Sequence, residues 1–210
     1  MFFTVRNFQK SYNNHPVLTI SELIVPEGIH WFEGANGSGK STFFRTIAGI
    51  IPFAGEMHLC NLQNNEANAV LYRRLVNYAY AEPKYPDYLS GADIINFVNE
   101  ARGSDKDQVN ELVERFGVED FYKNAIQTYS SGMLKKISLI TAFIGKPKLI
   151  LLDEPFTTID TQTSDMVYQL INQYHENGSS FFIASHQPLD NAKVTTNSRF
   201  TVADGKITLA

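Results

Sequence analysis

Residues 34–42 constrain this chain more than any other feature, because they read Gly-Ala-Asn-Gly-Ser-Gly-Lys-Ser-Thr, a G-x-x-x-x-G-K-[ST] pattern. An apolar stretch with strand character precedes them at 29–33, and a stretch with helical character follows at 43–50. Glycines let the backbone curl so that successive N–H groups point at one anion, and the start of the following helix adds positive charge. These residues therefore predict a phosphate-binding loop rather than an ordinary glycine-rich turn.

The side chains of this loop have separate expected roles. Lys40 is long enough to reach the β- and γ-phosphates of a nucleotide, and the hydroxyl of Ser41 can hold Mg²⁺. The residues predicted to bind the nucleotide are Gly34, Asn36, Gly37, Ser38, Gly39, Lys40, Ser41 and Thr42.

Length, charge and cysteine content limit the other possibilities. With 210 residues and a formal net charge of −4, the chain is expected to form one domain without a basic surface for nucleic acid. Cys60 is the only cysteine, so no internal disulfide can form, and a small buried side chain is its simplest interpretation. The N-terminus lacks the pattern of a secretory signal, and the longest apolar stretches, 137–144 and 149–152, are too short to span a bilayer. We therefore expect a soluble protein whose work at a membrane would need a partner.

A second informative stretch begins at Leu149, where four apolar residues are followed by Asp153, Glu154 and Pro155. A strand that is apolar on both faces is typical of a parallel sheet, and ligands bind at the carboxyl ends of such strands. Asp153 is placed to hold Mg²⁺, and Glu154 to accept a proton from an attacking water molecule. The alternative is a solvated strand end, which the phosphate-binding loop upstream makes the weaker interpretation.

The remaining pattern predicts an α/β fold. Residues 2–33 alternate strands with turns, whereas residues 91–144 become helical, with apolar residues spaced for a core-facing helix. We expect a single domain over 1–210, with a core near 1–80 and 145–210 and a helical sub-domain near 85–144.

Two single residues are ambiguous by themselves. Tyr12, at the end of a predicted strand, could stack on a purine ring or simply pack on its neighbours. His186, just after the apolar strand at 180–184, could touch a γ-phosphate, although a lone histidine is more often structural.

Residues 129–133, Tyr-Ser-Ser-Gly-Met, resemble the signature sequence of ABC-type ATPases, whose common form is L-S-G-G-Q. Ser130 and Gly132 are retained, while Tyr129, Ser131 and Met133 replace the other three residues. A serine that caps the following helix is the alternative. The position of this stretch between the phosphate-binding loop and the acidic strand end, in the family's order, favours the signature.

The resemblance covers nearly the whole chain and implies a P-loop NTPase (RecA-like) core with an N-terminal antiparallel β sub-domain and an inserted α-helical sub-domain. It implies that ATP and Mg²⁺ are the cofactors. It further implies roles for residues outside the loop: Glu154 and His186 in catalysis, Tyr12 on adenine, Asp160 in the D-loop, Ser41 and Asp153 on Mg²⁺, and Ser130, Ser131 and Gly132 on the ATP of a partner subunit.

One element departs from the family pattern. A glutamine usually stands in the loop that joins the core to the helical sub-domain, and here the equivalent position is Ala81 or Glu82. Glu82 could still approach Mg²⁺ or water, so it is included as a further candidate metal ligand.

The resemblance implies the ATP-hydrolysing subunit of an ABC transporter. Such subunits form a homodimer or heterodimer on ATP and drive transmembrane permease subunits from the cytoplasmic face of the membrane. The signature variant and the missing loop glutamine together are more similar to exporters than to importers. One alternative is a soluble ABC-type ATPase that acts on ribosomes or nucleic acid, although neither the acidic charge nor the single ATPase cassette suits it. A small-molecule kinase with the same loop is the other alternative, and the signature and the Asp153–Glu154 pair argue against it.

Overall fold

The computed structural model describes all residues from Met1 to Ala210 and contains ten strands and six α-helices. The strands are β1 (Phe3–Tyr12), β2 (His15–Val25), β3 (Ile29–Glu33), β4 (Ala54–Leu59), β5 (Leu62–Gln63), β6 (Val76–Ala79), β7 (Leu149–Asp153), β8 (Ser180–Ser185), β9 (Ser198–Ala203) and β10 (Lys206–Leu209). The α-helices are α1 (Lys40–Ile47), α2 (Ala69–Leu75), α3 (Gly91–Arg102), α4 (Lys106–Phe116), α5 (Ser131–Phe143) and α6 (Thr161–Glu176). Two short 3₁₀ helices cover Glu66–Asn68 and Ile126–Thr128.

The strands form two sheets. The first is antiparallel, in the order β2-β1-β4-β5. The second has the order β10-β9-β3-β8-β7-β6, and all its neighbours are parallel except β10 and β9. An α/β fold with an antiparallel N-terminal sheet is therefore confirmed.

The register of the second sheet determines where the predicted site residues meet. Ala184 of β8 lies opposite both Phe32 of β3 and Asp153 of β7. The carboxyl ends of these three parallel strands are therefore level, and the loops that follow them start at one edge of the sheet. This is the edge at which open α/β sheets bind ligands.

The strand β7 is buried on both faces, as its sequence predicted. Leu149 and Leu151 pack in the apolar core that contains α1 and the antiparallel sheet. Ile150 and Leu152 pack in the second core, with residues of α3, α4, α5 and α6. Because successive side chains of a strand point to opposite faces, one short strand supports both cores and is held firmly at its end.

The predicted helical region forms α3, α4 and α5, and their ends follow from local sequence. Ser90 accepts a hydrogen bond from the backbone N–H of Asp93, whose carboxylate in turn accepts from the N–H of Ser90. Such a capping box stabilises the first turn of a helix. Gly103 ends α3 and Gly117 ends α4, both in the left-handed conformation, which glycine adopts at little cost.

The expectation of a buried cysteine is wrong, because Cys60 is exposed. Cys60 and Asn61 form the two-residue connection between β4 and β5, with φ angles of 49° and 65°. Such a tight hairpin turn projects from the sheet, so its side chains lie outside the core. None of the helices is both long and apolar enough to cross a bilayer; the longest, α6, has 16 residues.

Candidate ATP-binding and catalytic site

The predicted phosphate-binding loop joins β3 to α1, as the motif requires, and two of its glycines are needed for its shape. Gly39 has a φ of 107°, a conformation that side chains rarely adopt, and directly precedes Lys40 at the start of α1. A Cβ atom on Gly34 would lie 2.4 Å from the carbonyl oxygen of Val202. Larger residues at these two positions would therefore open the loop and turn its N–H groups away from an anion.

Lys40 is buried at the base of this loop and folds back onto it. Its ammonium group donates hydrogen bonds to the carbonyl oxygens of Gly34 at 2.6 Å and of Ala35 at 3.1 Å. It also lies 3.6 Å from Oε1 of Glu154. A lysine held in this way is already dehydrated and close to the loop, so a bound phosphate can attract it over a short distance.

Asp153 ends β7 as a fully buried carboxylate. Its Oδ2 accepts a hydrogen bond from the hydroxyl of Tyr78 at 2.9 Å, whereas its Oδ1 is buried without a hydrogen-bond partner. Burial raises the pKa of Asp153, and the hydroxyls of Ser41 and Tyr78 and the charge of Lys135 oppose that rise. Burial likewise raises the pKa of Tyr78 well above its usual range, so Tyr78 is the proton donor of this bond.

These residues fit a magnesium ion bound together with a nucleotide. No group of three or more His, Cys, Asp or Glu side chains is placed to hold a metal ion by itself. Mg²⁺ in nucleotide sites usually takes one or two carboxylates and completes its shell with phosphate oxygens and water. An unpartnered Oδ1 of Asp153, with the hydroxyl of Ser41 beside the same carboxylate, is the donor set that such a site needs.

Glu154 and His186 meet directly after their strands. The backbone N–H of His186 donates to Oε1 of Glu154 at 3.0 Å, and its Nδ1 lies 2.8 Å from Oε2. Glu154 has a φ of 47°, a conformation that costs a side chain free energy and is common at functional sites. The strand end therefore turns sharply and presents the carboxylate where the imidazole can hold it.

One cleft of about 890 Å³ brings most of the predicted residues together. Tyr12 forms one wall, 44% exposed, with the ammonium of Lys10 located 4.8 Å from its ring centroid. The other predicted residues that line the cleft are Asn36, Gly37, Gly39, Lys40, Ser41, Thr42, Glu82, Asp153, Glu154 and His186. A separate cavity of about 510 Å³ between α4 and α6 contains none of them.

The signature residues and Asp160 lie outside this cleft. Ser130 is exposed and caps α5, because its hydroxyl accepts a hydrogen bond from the backbone N–H of Met133 at 3.3 Å. Asp160 caps α6 through the N–H of Thr163 at 2.7 Å. The helix-capping interpretation of Ser130 is thus correct, and the helix start that it caps is exposed.

Two groups of predicted residues remain: two residues of the phosphate-binding loop, and the pair after β6 where the family usually has a glutamine. Gly34 and Ser38 belong to the loop but do not line the cleft, and the hydroxyl of Ser38 is buried without a partner. Both Ala81 and Glu82 line the cleft after the end of β6, and Glu82 is exposed. The carboxylate of Glu82 is therefore free to move toward the cleft.

Lys135 is a residue of this region that the sequence did not single out. It is fully buried at the first turns of α5, and its ammonium donates to the carbonyl oxygens of Tyr80 at 2.8 Å, Ala81 at 3.3 Å and Asp153 at 2.8 Å. Burial lowers its pKa to about 8, against the opposing charges of Asp153 and Glu154. One side chain thus connects α5 to the ends of β6 and β7.

Replacement of Lys135 by Met is expected to lower the free energy of unfolding by about 1–3 kcal/mol, the usual cost of leaving buried carbonyl oxygens, here those of Tyr80, Ala81 and Asp153, without a hydrogen-bond donor. Urea denaturation measures this change. The matched control is Lys136→Met, since Lys136 is partly exposed and only approaches Asp160 at 3.6 Å. Such a pair contributes about 0–1 kcal/mol, so equal losses in the two variants would contradict the role given to Lys135.

Comparison with known proteins identifies a family. The family model described as "ABC transporter" matches residues 19–157. An aliphatic sulfonates import ATP-binding protein, SsuB 2, from Burkholderia cenocepacia is 31% identical over 191 residues, which cover 90% of this chain and 68% of that protein. The ABC transporter G family member 20 of Dictyostelium discoideum is 27% identical over 210 residues. The match covers 97% of this chain but only 28% of the length of that relative.

A solved structure has the same fold. It is a dimeric ATP-binding cassette in a post-hydrolysis state, bound to ADP and Pi, and it superposes with a TM-score of 0.81. The match covers 98% of this chain and 96% of that one, at 19% sequence identity.

Proposed function

The chain belongs to the ABC transporter family and carries its ATPase domain, and from this premise we propose that it is the ATP-hydrolysing subunit of an exporter. The observation that carries the proposal is the single cleft in which Lys40, Asp153, Glu154 and His186 lie together. A phosphate-binding lysine, a metal-binding carboxylate and a proton acceptor are the parts that phosphoryl transfer to water requires.

The proposed reaction is hydrolysis of the terminal phosphoanhydride bond of ATP. Glu154 takes a proton from a water molecule as the water oxygen bonds to the γ-phosphorus, and the bond between that phosphorus and the bridging oxygen of ADP breaks. Lys40 and His186 hold the γ-phosphate, and the backbone N–H groups of the loop bind the phosphate chain. Mg²⁺, held by Ser41 and Asp153 with Glu82 as a further candidate ligand, neutralises phosphate charge when bound.

We further propose that two subunits bind two ATP molecules between them. The position of Ser130, Ser131 and Gly132 outside the subunit's own cleft supports this arrangement, because the two serines at this helix start are exposed and can reach the ATP of a partner. A related fold occurs as a dimer. ATP then holds the dimer closed, hydrolysis opens it, and this change drives the permease subunits from the cytoplasmic face of the membrane. The partner ATPase is either a second copy or a relative.

Export is proposed from two sequence features, the Tyr-Ser-x-Gly-Met form of the signature and the absence of the loop glutamine. The name of the Burkholderia relative says import for that protein. Export stays the proposal for this chain, because both features are taken from its own sequence.

Tagged protein purified from detergent-solubilised native membranes is expected to bring down a membrane protein with several spans. An untagged extract processed in parallel is the control, and mass spectrometry identifies the co-purifying chains. Recovery only from the soluble fraction, with ribosomes or nucleic acid, would overturn the transporter proposal and favour a soluble ABC-type ATPase.

A further inference from the structure

Two hydrogen bonds of different kinds hold Asp153, one to its backbone and one to its carboxylate. The ammonium of Lys135 donates to its backbone carbonyl oxygen, which fixes the end of β7. The hydroxyl of Tyr78 donates to Oδ2 and so fixes the rotation of the side chain. The second carboxylate oxygen, Oδ1, is buried and has no hydrogen-bond partner. An unsatisfied buried oxygen is costly, and its retention usually has a functional reason.

The contact between Tyr78 and Asp153 follows from strand order and strand register. Tyr78 of β6 lies opposite Leu151 of the neighbouring parallel strand β7. Leu151 and Asp153 are two residues apart and therefore project on the same face of the sheet. Tyr78 packs on that face too, with the core that contains α1. Its ring is long enough to reach the carboxylate diagonally across the two strands.

A second tyrosine provides a natural comparison. The ring centroid of Tyr80 lies 4.5 Å from that of Tyr78, so the two rings pack against each other. The backbone carbonyl of Tyr80 accepts from Lys135, but its side-chain hydroxyl contacts no carboxylate. The two rings are thus neighbours in the same cleft, and only the hydroxyl of Tyr78 reaches Asp153.

We propose that Tyr78 is a positioning residue, whose hydroxyl occupies Oδ2 of Asp153 and leaves Oδ1 as the oxygen available to the metal ion of the nucleotide complex. The inference rests on the proposed function, because it assumes that Asp153 holds Mg²⁺. It goes beyond that function by giving a role to Tyr78, which lines the same cleft but belongs to none of the motifs that bind the nucleotide. Removal of a group that orients a metal ligand in this way often lowers metal affinity about 10- to 100-fold.

Tyr78→Phe tests the proposal, with Tyr80→Phe as the matched control. Electron paramagnetic resonance measures binding of Mn²⁺, a paramagnetic substitute for Mg²⁺, to each protein in the presence of ADP. A fluorescent ADP analogue measures nucleotide affinity with EDTA present. We expect Tyr78→Phe to bind Mn²⁺ about 10- to 100-fold more weakly, with metal-free nucleotide affinity unchanged. Tyr80→Phe is expected to match the wild type in both measurements.

A double-mutant cycle separates positioning from general support of the fold. If Tyr78 acts through Asp153, Tyr78→Phe has little further effect on Mn²⁺ affinity once Asp153 is replaced by Asn. Thermal unfolding without ligand shows whether each variant is folded. Wild-type Mn²⁺ affinity in Tyr78→Phe, or an equal loss of metal and metal-free nucleotide binding, would overturn the inference. Failure of the wild-type protein itself to bind nucleotide would instead overturn the proposed function.

Discussion

A Glu154→Gln variant is expected to bind ATP, to hydrolyse it about 10²–10⁴-fold more slowly and to accumulate as a dimer. The rate loss is the usual cost of removing a general base. Glutamine keeps the size of the side chain, and its carbonyl oxygen can still accept the hydrogen bond that the backbone N–H of His186 donates to Oε1. Nucleotide binding should therefore survive, while the amide cannot take a proton from water. If hydrolysis opens the proposed dimer, a subunit that cannot hydrolyse ATP stays in the closed form.

Phosphate release and light scattering after size-exclusion chromatography, with and without ATP, measure the two effects separately. The matched control is Glu33→Gln, because Glu33 ends the parallel strand β3 but accepts hydrogen bonds from Arg199 and Thr201 instead of meeting His186. Its turnover should be close to that of the wild type. Normal turnover in Glu154→Gln would show that Glu154 is not the base. Slow turnover without a dimer would leave the base assignment intact and contradict the proposed assembly.

The parts of the site that could be predicted from sequence are those carried by contiguous residues. The loop from Gly34 to Thr42 needs its glycines, lysine and hydroxyls in a fixed spacing, so the pattern by itself predicts phosphate binding. Asp153 and Glu154 follow four apolar residues, and such a run predicts a buried parallel strand with a ligand site at its end. In both cases, fewer than ten consecutive residues determine the local chain geometry and the side-chain chemistry.

The parts that could not be predicted depend on which strands become neighbours. Tyr78 meets Asp153 only because β6 pairs with β7, although 75 positions separate the two residues along the chain. Lys135 looks like a solvated lysine beside Lys136, yet the packing of α5 buries it against three carbonyl oxygens. Sequence periodicity describes one element at a time and carries no information about such partners.

Lys40→Ala is expected to weaken ATP binding roughly 30-fold to more than 1000-fold. Loss of a buried charged hydrogen-bond donor costs about 2–5 kcal/mol, and each 1.4 kcal/mol corresponds to about a factor of ten in affinity. Without nucleotide, the ammonium group is already bound to the carbonyl oxygens of Gly34 and Ala35. The variant therefore loses contacts in the free protein too, and part of the measured effect belongs to the loop rather than to the phosphate.

Lys84→Ala is the matched control, because Lys84 lines the same cleft but is exposed. It shows how much ATP affinity falls when a positive charge is removed from the cleft outside the phosphate-binding loop. A ligand that binds only the folded state raises its stability in proportion to RT ln(1 + [L]/Kd). Thermal unfolding with increasing ATP should therefore show a large upward shift for the wild type and Lys84→Ala and a small one for Lys40→Ala. The shift from zero ATP isolates the phosphate contribution, since changes in the free loop are already present there. An equal rise in unfolding temperature in all three proteins would mean that Lys40 does not bind the nucleotide and only stabilises the loop through its hydrogen bonds to Gly34 and Ala35.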